Sequence, residues 1–328
     1  MPAPADVSVV IPTWNGRLLL ERFLPSVITS ASAHHDATGG MVEVVVVDDG
    51  STDDSVEWLT RQARASAVPL RVIANDANLG FGAACNRGVK EARHRRVFLL
   101  NNDVALGTDA ITRLAAHFTE PDAADPLFAV HCRVLDFDSG AVAGAGQRGS
   151  FRRGFIRVHE SYSPPATAPG PWPSIFASGG SSMVDRERFL ELGGFDSLFA
   201  PFYLEDVELS YRAWKRGLRV GYAPDALARH QFSSTIGKRS APSRIRQISQ
   251  RNRLYLNWIH LHERSWFLQH LLWVVVLFVT SPVRLRLDFA RGFLDALGQV
   301  TEVRKRRRRE RQRARRSDRD VMRVFADL

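Results

Sequence analysis

The sequence predicts an α/β protein, a Rossmann-like and mostly parallel sheet with helices on both faces. Short apolar runs recur early in the chain, at residues 7–11 (VSVVI), 43–47 (EVVVV), 70–74 (LRVIA) and 97–100 (VFLL). They are rich in β-branched or large apolar side chains and lack period-two alternation, the pattern of strands buried on both faces. Between them, residues near 17–31, 53–65 and 81–94 read as helices. Strands alternating with helices give a parallel sheet covered on each side.

The texture changes near Pro121. Residues 127–162 read as strands with Gly-rich turns. Pro164, Pro165, Pro169, Pro171 and Pro173 then crowd a loop that excludes regular structure. Helices are expected at about 185–192 and 205–216, the second stopped by Gly217 after Lys215 and Arg216. From about residue 244 the chain is helical, increasingly apolar and finally basic. The expected division is an α/β domain over 1–240, a helical apolar region over 241–300 and an Arg-rich tail over 301–328.

Charge supports that division. Residues 304–316 (RKRRRRERQRARR) hold ten basic residues and one Glu, a net of +9 out of +10 for the chain, so the body is nearly neutral. The cysteines, Cys85 and Cys132, lack metal-ligand spacing and are expected as buried thiols of a reducing compartment. MPAPAD lacks a basic leader region and the run at 7–11 is too short for a signal peptide, so no export signal is expected.

In an open α/β sheet, ligands bind beyond the carboxyl ends of the strands. The unusual polar residues fall there: Pro12-Thr13-Trp14-Asn15-Gly16 after the first run, Asp48-Asp49-Gly50-Ser51-Thr52 after the second, Asn75 after the third and Asn101-Asn102-Asp103 after the fourth. Asp53 and Asp54 are explained by capping of the next helix. Asp48 and Asp49 are explained less well by capping and are candidates for the ligand, Asp49 foremost. Asp103, a carboxylate at a strand end, suits a hard cation bridging phosphate oxygens. The segment Asn78-Leu79-Gly80-Phe81-Gly82, with Asn86 beyond, opens a helix whose N–H groups face either a phosphate or a tight turn.

In the second half, Gly193-Gly194-Phe195-Asp196 precedes Tyr203-Leu204-Glu205-Asp206-Val207-Glu208. Glu208 is expected to pair with Arg212 four residues on. Glu205 and Asp206 are adjacent and so point in different directions, and the aromatic approach offers a setting that tunes a carboxylate as a base. His230, before Ser233-Ser234-Thr235, reads by itself as a lone histidine.

Together, VSVVIPTWN, VVVVDDGSTDDS, NLGFGAACNRG, LLNNDV, GGFD and FYLEDVELSYR resemble family 2 glycosyltransferases of the GT-A fold, in the bacterial rhamnosyltransferase and galactofuranosyltransferase-like branch. The resemblance covers roughly residues 6–240. It implies an inverting transferase of cell-wall or polysaccharide synthesis, using a dTDP-rhamnose or UDP-sugar type donor and a saccharide or lipid-linked acceptor. It implies that Pro12, Thr13, Asn15, Asp48, Asp49, Asn78, Gly80, Phe81, Asn86 and Asn102 surround the nucleotide sugar. Asp103 and His230 would ligate Mg2+ or Mn2+, Asp206 would be the general base, and Glu205 would orient the loop or the acceptor. Asn101-Asn102 departs from the acids many relatives carry, so the donor phosphates must complete the metal's shell. A nucleotidyltransferase would show a Gly-rich basic loop straight after the first strand, which Pro12–Gly16 is not. A silent nucleotide-sugar-binding or scaffold protein has no need of Asp103, Asp206 and His230 together.

Residues 266–283 (WFLQHLLWVVVLFVTSPV) are apolar but short of the roughly 20 residues that span a bilayer. Arginines flank both ends, so an interfacial or re-entrant helix is favoured over a crossing, with a buried core helix as the alternative. The basic run beside it is expected to meet anionic lipid, which places the protein peripherally at the cytoplasmic face of the membrane. Nucleic acid is not an expected partner, since no aromatic residues interleave the arginines.

Overall fold

Strands β1 (Val7–Thr13), β2 (Val42–Asp48), β3 (Leu70–Ala74) and β4 (Arg96–Leu100) form the parallel part of the sheet, in the spatial order β4-β1-β2-β3. The computed structural model describes residues 6–118, 125–165, 167, 170–231, 241–281 and 287–328. Every residue of β2 is buried, so a polar side chain there must be paired. Glu43 is: Ser8 Oγ and the Arg93 N–H each donate to it at 2.7 Å, and Arg71 Nη1 at 3.2 Å. Burial opposes its charge, but these bonds hold its pKa below the usual carboxylate range.

Helices α1 (Arg17–Thr38), α2 (Ser55–Ala65) and α3 (Phe81–Glu91) make the crossovers. Helix α3 lies so close to the sheet that a Cβ on Gly88 would sit 2.3 Å from Val10 Cγ1. A glycine inside a helix costs roughly 0.5–1 kcal/mol against alanine, and here it permits that approach.

Beyond β4 come β5 (Val104–Leu106), helix α4 (Ala110–Ala115) and the long strand β6 (Leu127–Asp136). Strands β7 (Val142–Gly144), β10 (Trp172–Pro173), β11 (Ser181–Asp185) and β12 (Arg219–His230) complete the main sheet, ordered β10-β12-β6-β11-β4-β1-β2-β3. Strand β11 runs antiparallel between β4 and β6, while β6 and β12 are parallel. The sheet is therefore mixed at its centre and parallel over its first half. Strands β8 (Gly146–Arg152) and β9 (Phe155–Tyr162) form a separate hairpin turned by Arg153 and Gly154 at φ of 50° and 73°.

Helix α5 (Arg186–Leu192) and α6 (Glu205–Lys215) appear where expected. Glu208 and Arg212 meet at 2.6 Å, both buried, and Glu208 also lies 2.8 Å from His260 Nε2. His260 ends α7 (Pro242–His260), which is followed by α8 (Arg264–Thr280), α9 (Leu287–Leu297), α10 (Val300–Arg313) and α11 (Asp318–Arg323). Leu254, Val274, Phe289, Val303 and Val321 from these helices belong to the same buried cluster as Val10, Val47 and Leu99 of the sheet.

The basic run is partly built into that packing. Arg306 pairs with Asp196 at 2.6 Å, Arg307 donates to Trp258 O at 2.7 Å, and Glu310 within the run takes Arg216 at 2.8 Å. Cys85 and Cys132 are buried free thiols. Among the described residues no helix is long and apolar enough to cross a membrane. Helix α8 buries His270 and Val274, while Leu268, Leu272, Val275 and Val279 are each more than half exposed. Pro169, Ser233-Ser234-Thr235 and residues 282–286 at the end of the apolar stretch lie outside the described residues.

Asp318 fastens the C-terminus. Fully buried, it accepts from Lys215 Nζ at 2.7 Å, the Tyr211 hydroxyl at 3.0 Å and the N–H groups of His262 and Glu263 at 2.7 and 2.9 Å. Burial works against its charge, but Lys215 and these bonds lower its pKa, so its contribution is present above the ordinary Asp range and lost as pH falls through the folded value. Asp318→Ala leaves the Lys215 ammonium buried and unpaired and should destabilise by about 3–5 kcal/mol, read as a lower urea midpoint at pH 7.

Candidate active site

The polar residues excluded from the buried strands gather beyond their carboxyl ends, where they brace one another. Asn102 Nδ2 donates to Thr13 Oγ1 at 2.8 Å, tying the end of β4 to that of β1. Asn15, left-handed at φ 48°, accepts from the Thr52 N–H at 2.7 Å while its own N–H donates to Ser51 Oγ at 2.8 Å, tying β1 to β2. Asp48 Oδ2 accepts from the Ser51 N–H at 2.9 Å. Pro12 lies within β1, opposite Val47.

Asp49 joins β2 to the loop before α3. Its carboxylate accepts from Asn75 Nδ2 at 2.6 Å, from the Leu79 N–H at 3.0 Å and from the Gly80 N–H at 2.8 Å. Of the two alternatives for that loop, a phosphate-facing N–H row or a tight turn, these two N–H groups serve the turn, with Asp49 as a built-in anion. Asn78 is exposed on the same loop, and Phe81 packs against Phe195 with ring centroids 5.9 Å apart. Asn86, singled out for the nucleotide sugar, has its carboxamide on the backbone of Phe195, donating at 2.9 Å and accepting at 2.8 Å. It braces α3 against the Gly193–Asp196 loop.

Tertiary structure gives His230 a partner. It is the register partner of Val104, and its Nε2 lies 3.0 Å from Asp103 Oδ1, with both side chains partly open to solvent. His230 also lines a cavity of about 380 Å³ with Asn101, His131, Ser178 and Gly180. A carboxylate oxygen beside an imidazole nitrogen is a donor pair for a divalent cation. Among the described residues no cluster of three or more acidic, His or Cys groups forms a fuller cage.

Glu205 and Asp206 open α6 from an unusual approach. Tyr203 and Leu204 are both left-handed, at φ 73° and 69°, a conformation costing roughly 1–2 kcal/mol for a residue with a Cβ. Asn252, fully buried in α7, holds it in place by donating to Phe199 O at 2.7 Å, Phe202 O at 3.1 Å and Tyr203 O at 2.8 Å. Asn252 is a positioning residue that sequence reasoning did not find. Its one signal was a polar residue in phase with Ile248, Tyr255 and Ile259 on the buried face of that helix.

The two acids then diverge. Asp206 Oδ2 accepts from the Gly179 N–H at 3.2 Å and Oδ1 from the Val207 N–H at 2.8 Å. The adjoining Gly180 carbonyl accepts from the Asn101 N–H at 3.0 Å, which connects Asp206 through one turn to the strand end carrying Asp103. Glu205 faces a small cavity of about 80 Å³ among Gly80, Gly82, Asn86, Phe195 and Pro201. Its Oε2 is shielded from water without a hydrogen-bond donor. Burial, and then the charge of Asp206, push its pKa up to about 8.

The chain is similar to known proteins in sequence and in fold. The family described as Glycosyl transferase family 2 matches residues 8–191, more than half of the chain. The chain is 29% identical over 256 residues to the N-acetylglucosaminyl-diphospho-decaprenol L-rhamnosyltransferase of Mycobacterium tuberculosis, covering 70% of this chain and 77% of that protein. Its fold is similar to that of GalNAc-T7, in a crystal structure with UDP, GalNAc and Mn2+, at a TM-score of 0.64 and 18% identity over 92% of this chain and 58% of that one. It is also similar to the mannosyltransferase PcManGT of Pyrobaculum calidifontis, in complex with GDP-Man and Mn2+, at a TM-score of 0.53 and 16% identity over 99% of this chain and 88% of that one. The architecture is GT-A.

The raised Glu205 pKa carries a stability signature. The folded state holds its proton more tightly than the unfolded chain, so wild-type stability falls as pH rises from the ordinary Glu range towards 8. Glu205→Gln removes that dependence. Its stability relative to wild type should therefore climb between pH 5 and pH 8 in paired urea titrations, and a difference independent of pH would contradict the shifted pKa.

Proposed function

The chain belongs to glycosyl transferase family 2, and on that premise we propose that it is an inverting, divalent-metal-assisted transferase. In this proposal it moves a sugar from a nucleotide diphosphate to a saccharide or lipid-linked acceptor at the cytoplasmic face of a membrane. The observation that carries the proposal is the hydrogen-bonded turn linking Asp206, through Gly179 and Gly180, to the strand end that holds Asp103 beside His230. In this reading a carboxylate for proton removal stands one hydrogen-bonded turn from a cation-binding pair.

Each residue has a definite task in this reading. Pro12, Thr13, Asn15, Asp48, Asn78, Gly80, Phe81 and Asn102 wall the nucleotide. Asp49 and Asn86 shape that wall from behind, since both side chains are already engaged by protein groups. Asp103 and His230 would hold Mg2+ or Mn2+, which when bound neutralises charge on the leaving diphosphate. Asp206 accepts the acceptor's hydroxyl proton as that oxygen bonds to the anomeric carbon. The bond to the diphosphate breaks on the opposite face, and the configuration inverts. Glu205, which lines a small cavity with Gly80 and Asn86, orients the loop or the acceptor. A rhamnosyl donor of the dTDP type is favoured by the named activity of the mycobacterial relative, with a UDP-sugar as the other candidate.

Asp206→Asn should fold and still bind donor, because the amide is nearly isosteric. Its kcat should drop by about 10²–10⁴-fold, while Glu205→Gln should cost much less. A near-normal kcat for Asp206→Asn would remove it as the base.

The metal pair has its own test. Nucleotide sugars of several bases are screened by thermal shift with and without Mn2+, since a ligand bound to the folded state raises the melting temperature. Asp103→Ala should abolish the Mn2+-dependent part of the shift and His230→Ala should reduce it. Full Mn2+ dependence retained in both variants would rule the pair out.

A further inference from the structure

A cavity of about 620 Å³ lies between the β8–β9 hairpin and α7, on the side of Leu204. Arg152, Arg153, Arg157 and Arg253 line it, with Glu160 as the acid among the lining residues. Its volume falls in the range of small-molecule sites, about 300–1,000 Å³. Several arginines elsewhere in the fold have carboxylate partners, such as Arg95 with Asp185, Arg212 with Glu208 and Arg306 with Asp196. Among the described residues, Arg152, Arg153 and Arg157 form no ion pair, and Arg157 Nε is shielded from water without an acceptor.

The hairpin is built to hold this group together. The two-residue turn requires positive φ at both positions, where Asn-Gly is the favoured pair. Arg153 occupies the first position at φ 50°, so a guanidinium is kept at the tip despite the backbone cost. Arg253 is fixed from the other wall by stacking over Phe155, 3.9 Å from the ring centroid.

The same hairpin rests on α8. His270 is kept neutral by burial, with a pKa near 4, and its Nδ1–H donates to Gly154 O at 2.7 Å. Phe151 and Trp266 stack with centroids 4.2 Å apart. Beyond that contact α8 exposes Leu268, Leu272, Val275 and Val279. One element therefore joins a multiply cationic cavity, an exposed apolar helix and, through Leu204, the approach to Asp206.

We propose that this cavity binds the diphosphate of a lipid diphosphate-linked saccharide, the acceptor of the transfer reaction, with its hydrocarbon chain leaving over the exposed face of α8. Guanidinium groups pair bidentately with phosphate oxygens, and several together answer a ligand carrying more than one negative charge. The saccharide then extends past Leu204 towards Asp206. The inference rests on the transferase reading above and adds the acceptor's class and its site.

The test uses the full chain and two acceptors with the same saccharide and hydrocarbon chain, one linked through a diphosphate and one through a neutral ether. Wild type should show a KM for the diphosphate acceptor lower by at least about tenfold, the scale of hydrogen bonds to charged groups. The triple variant Arg152→Gln, Arg153→Gln, Arg157→Gln should lose that preference while keeping the wild-type KM for the donor. Equal KM values for the two acceptors in wild type overturn the proposal, even if the triple variant does not fold. An unchanged preference in a folded triple variant also overturns it, as does inhibition by anionic vesicles equal to that by a saccharide-free lipid diphosphate, which would assign the arginines to bulk lipid. Transfer that occurs but shows no preference leaves the transferase reading intact, whereas absence of transfer to either acceptor overturns both.

Discussion

Burial of β1, β2 and β4 on both faces is the constraint from which the rest of the molecule follows. An uncompensated polar group is costly along these strands, and Glu43 with Ser8, Arg71 and Arg93 is what compensation looks like inside one of them. Polar chemistry is therefore displaced to the strand ends. There the backbone leaves the ladder, and Asn, Asp and Thr side chains satisfy it while bracing neighbouring loops. The Thr13–Asn102, Asn15–Ser51 and Asp49–Asn75 bonds fasten four strand ends into one rigid rim.

The acids of α6 are held from the other side. Asn252 secures the strained approach, His260 reaches Glu208, and Asp318 draws in Lys215 and Tyr211. The helices after residue 241 thus hold the position of Asp206 although they contribute no residue to the rim. Buried ion pairs are poor sources of net stability but costly to break, so such a network specifies one arrangement. That suits the general-base role proposed for Asp206, which requires the carboxylate to meet an acceptor hydroxyl at hydrogen-bond range.

Charge is distributed by the same logic. Arg306, Arg307 and Arg316 are used against Asp196, Trp258 and Trp214, so net charge along the chain overstates the cationic surface of the C-terminal run. The hairpin arginines carry no such signal in sequence, being separated by Gly154, Phe155 and Ile156. They form a cluster only because the two-residue turn folds Arg152 and Arg157 onto the same side as Arg253. An apolar helix beneath a cationic cavity is the layout an amphiphilic anionic substrate requires.

By itself the sequence determined the alternation of strands and helices, the polar strand ends, the Glu208–Arg212 pair and the family. These are set by periodicity and by neighbours a few residues apart, which the chain displays directly. Only the tertiary structure decided that β11 enters the sheet antiparallel, that Asp103 meets His230, that Asn86 and Asp49 serve protein backbone, and that the basic C-terminus joins the core. Each of these depends on residues separated by tens to hundreds of positions. In sequence, a carboxylate that braces its own loop and one that does not are the same letter. What separates them is which N–H groups the fold brings within hydrogen-bond range, and for Asp49 those come from Leu79 and Gly80.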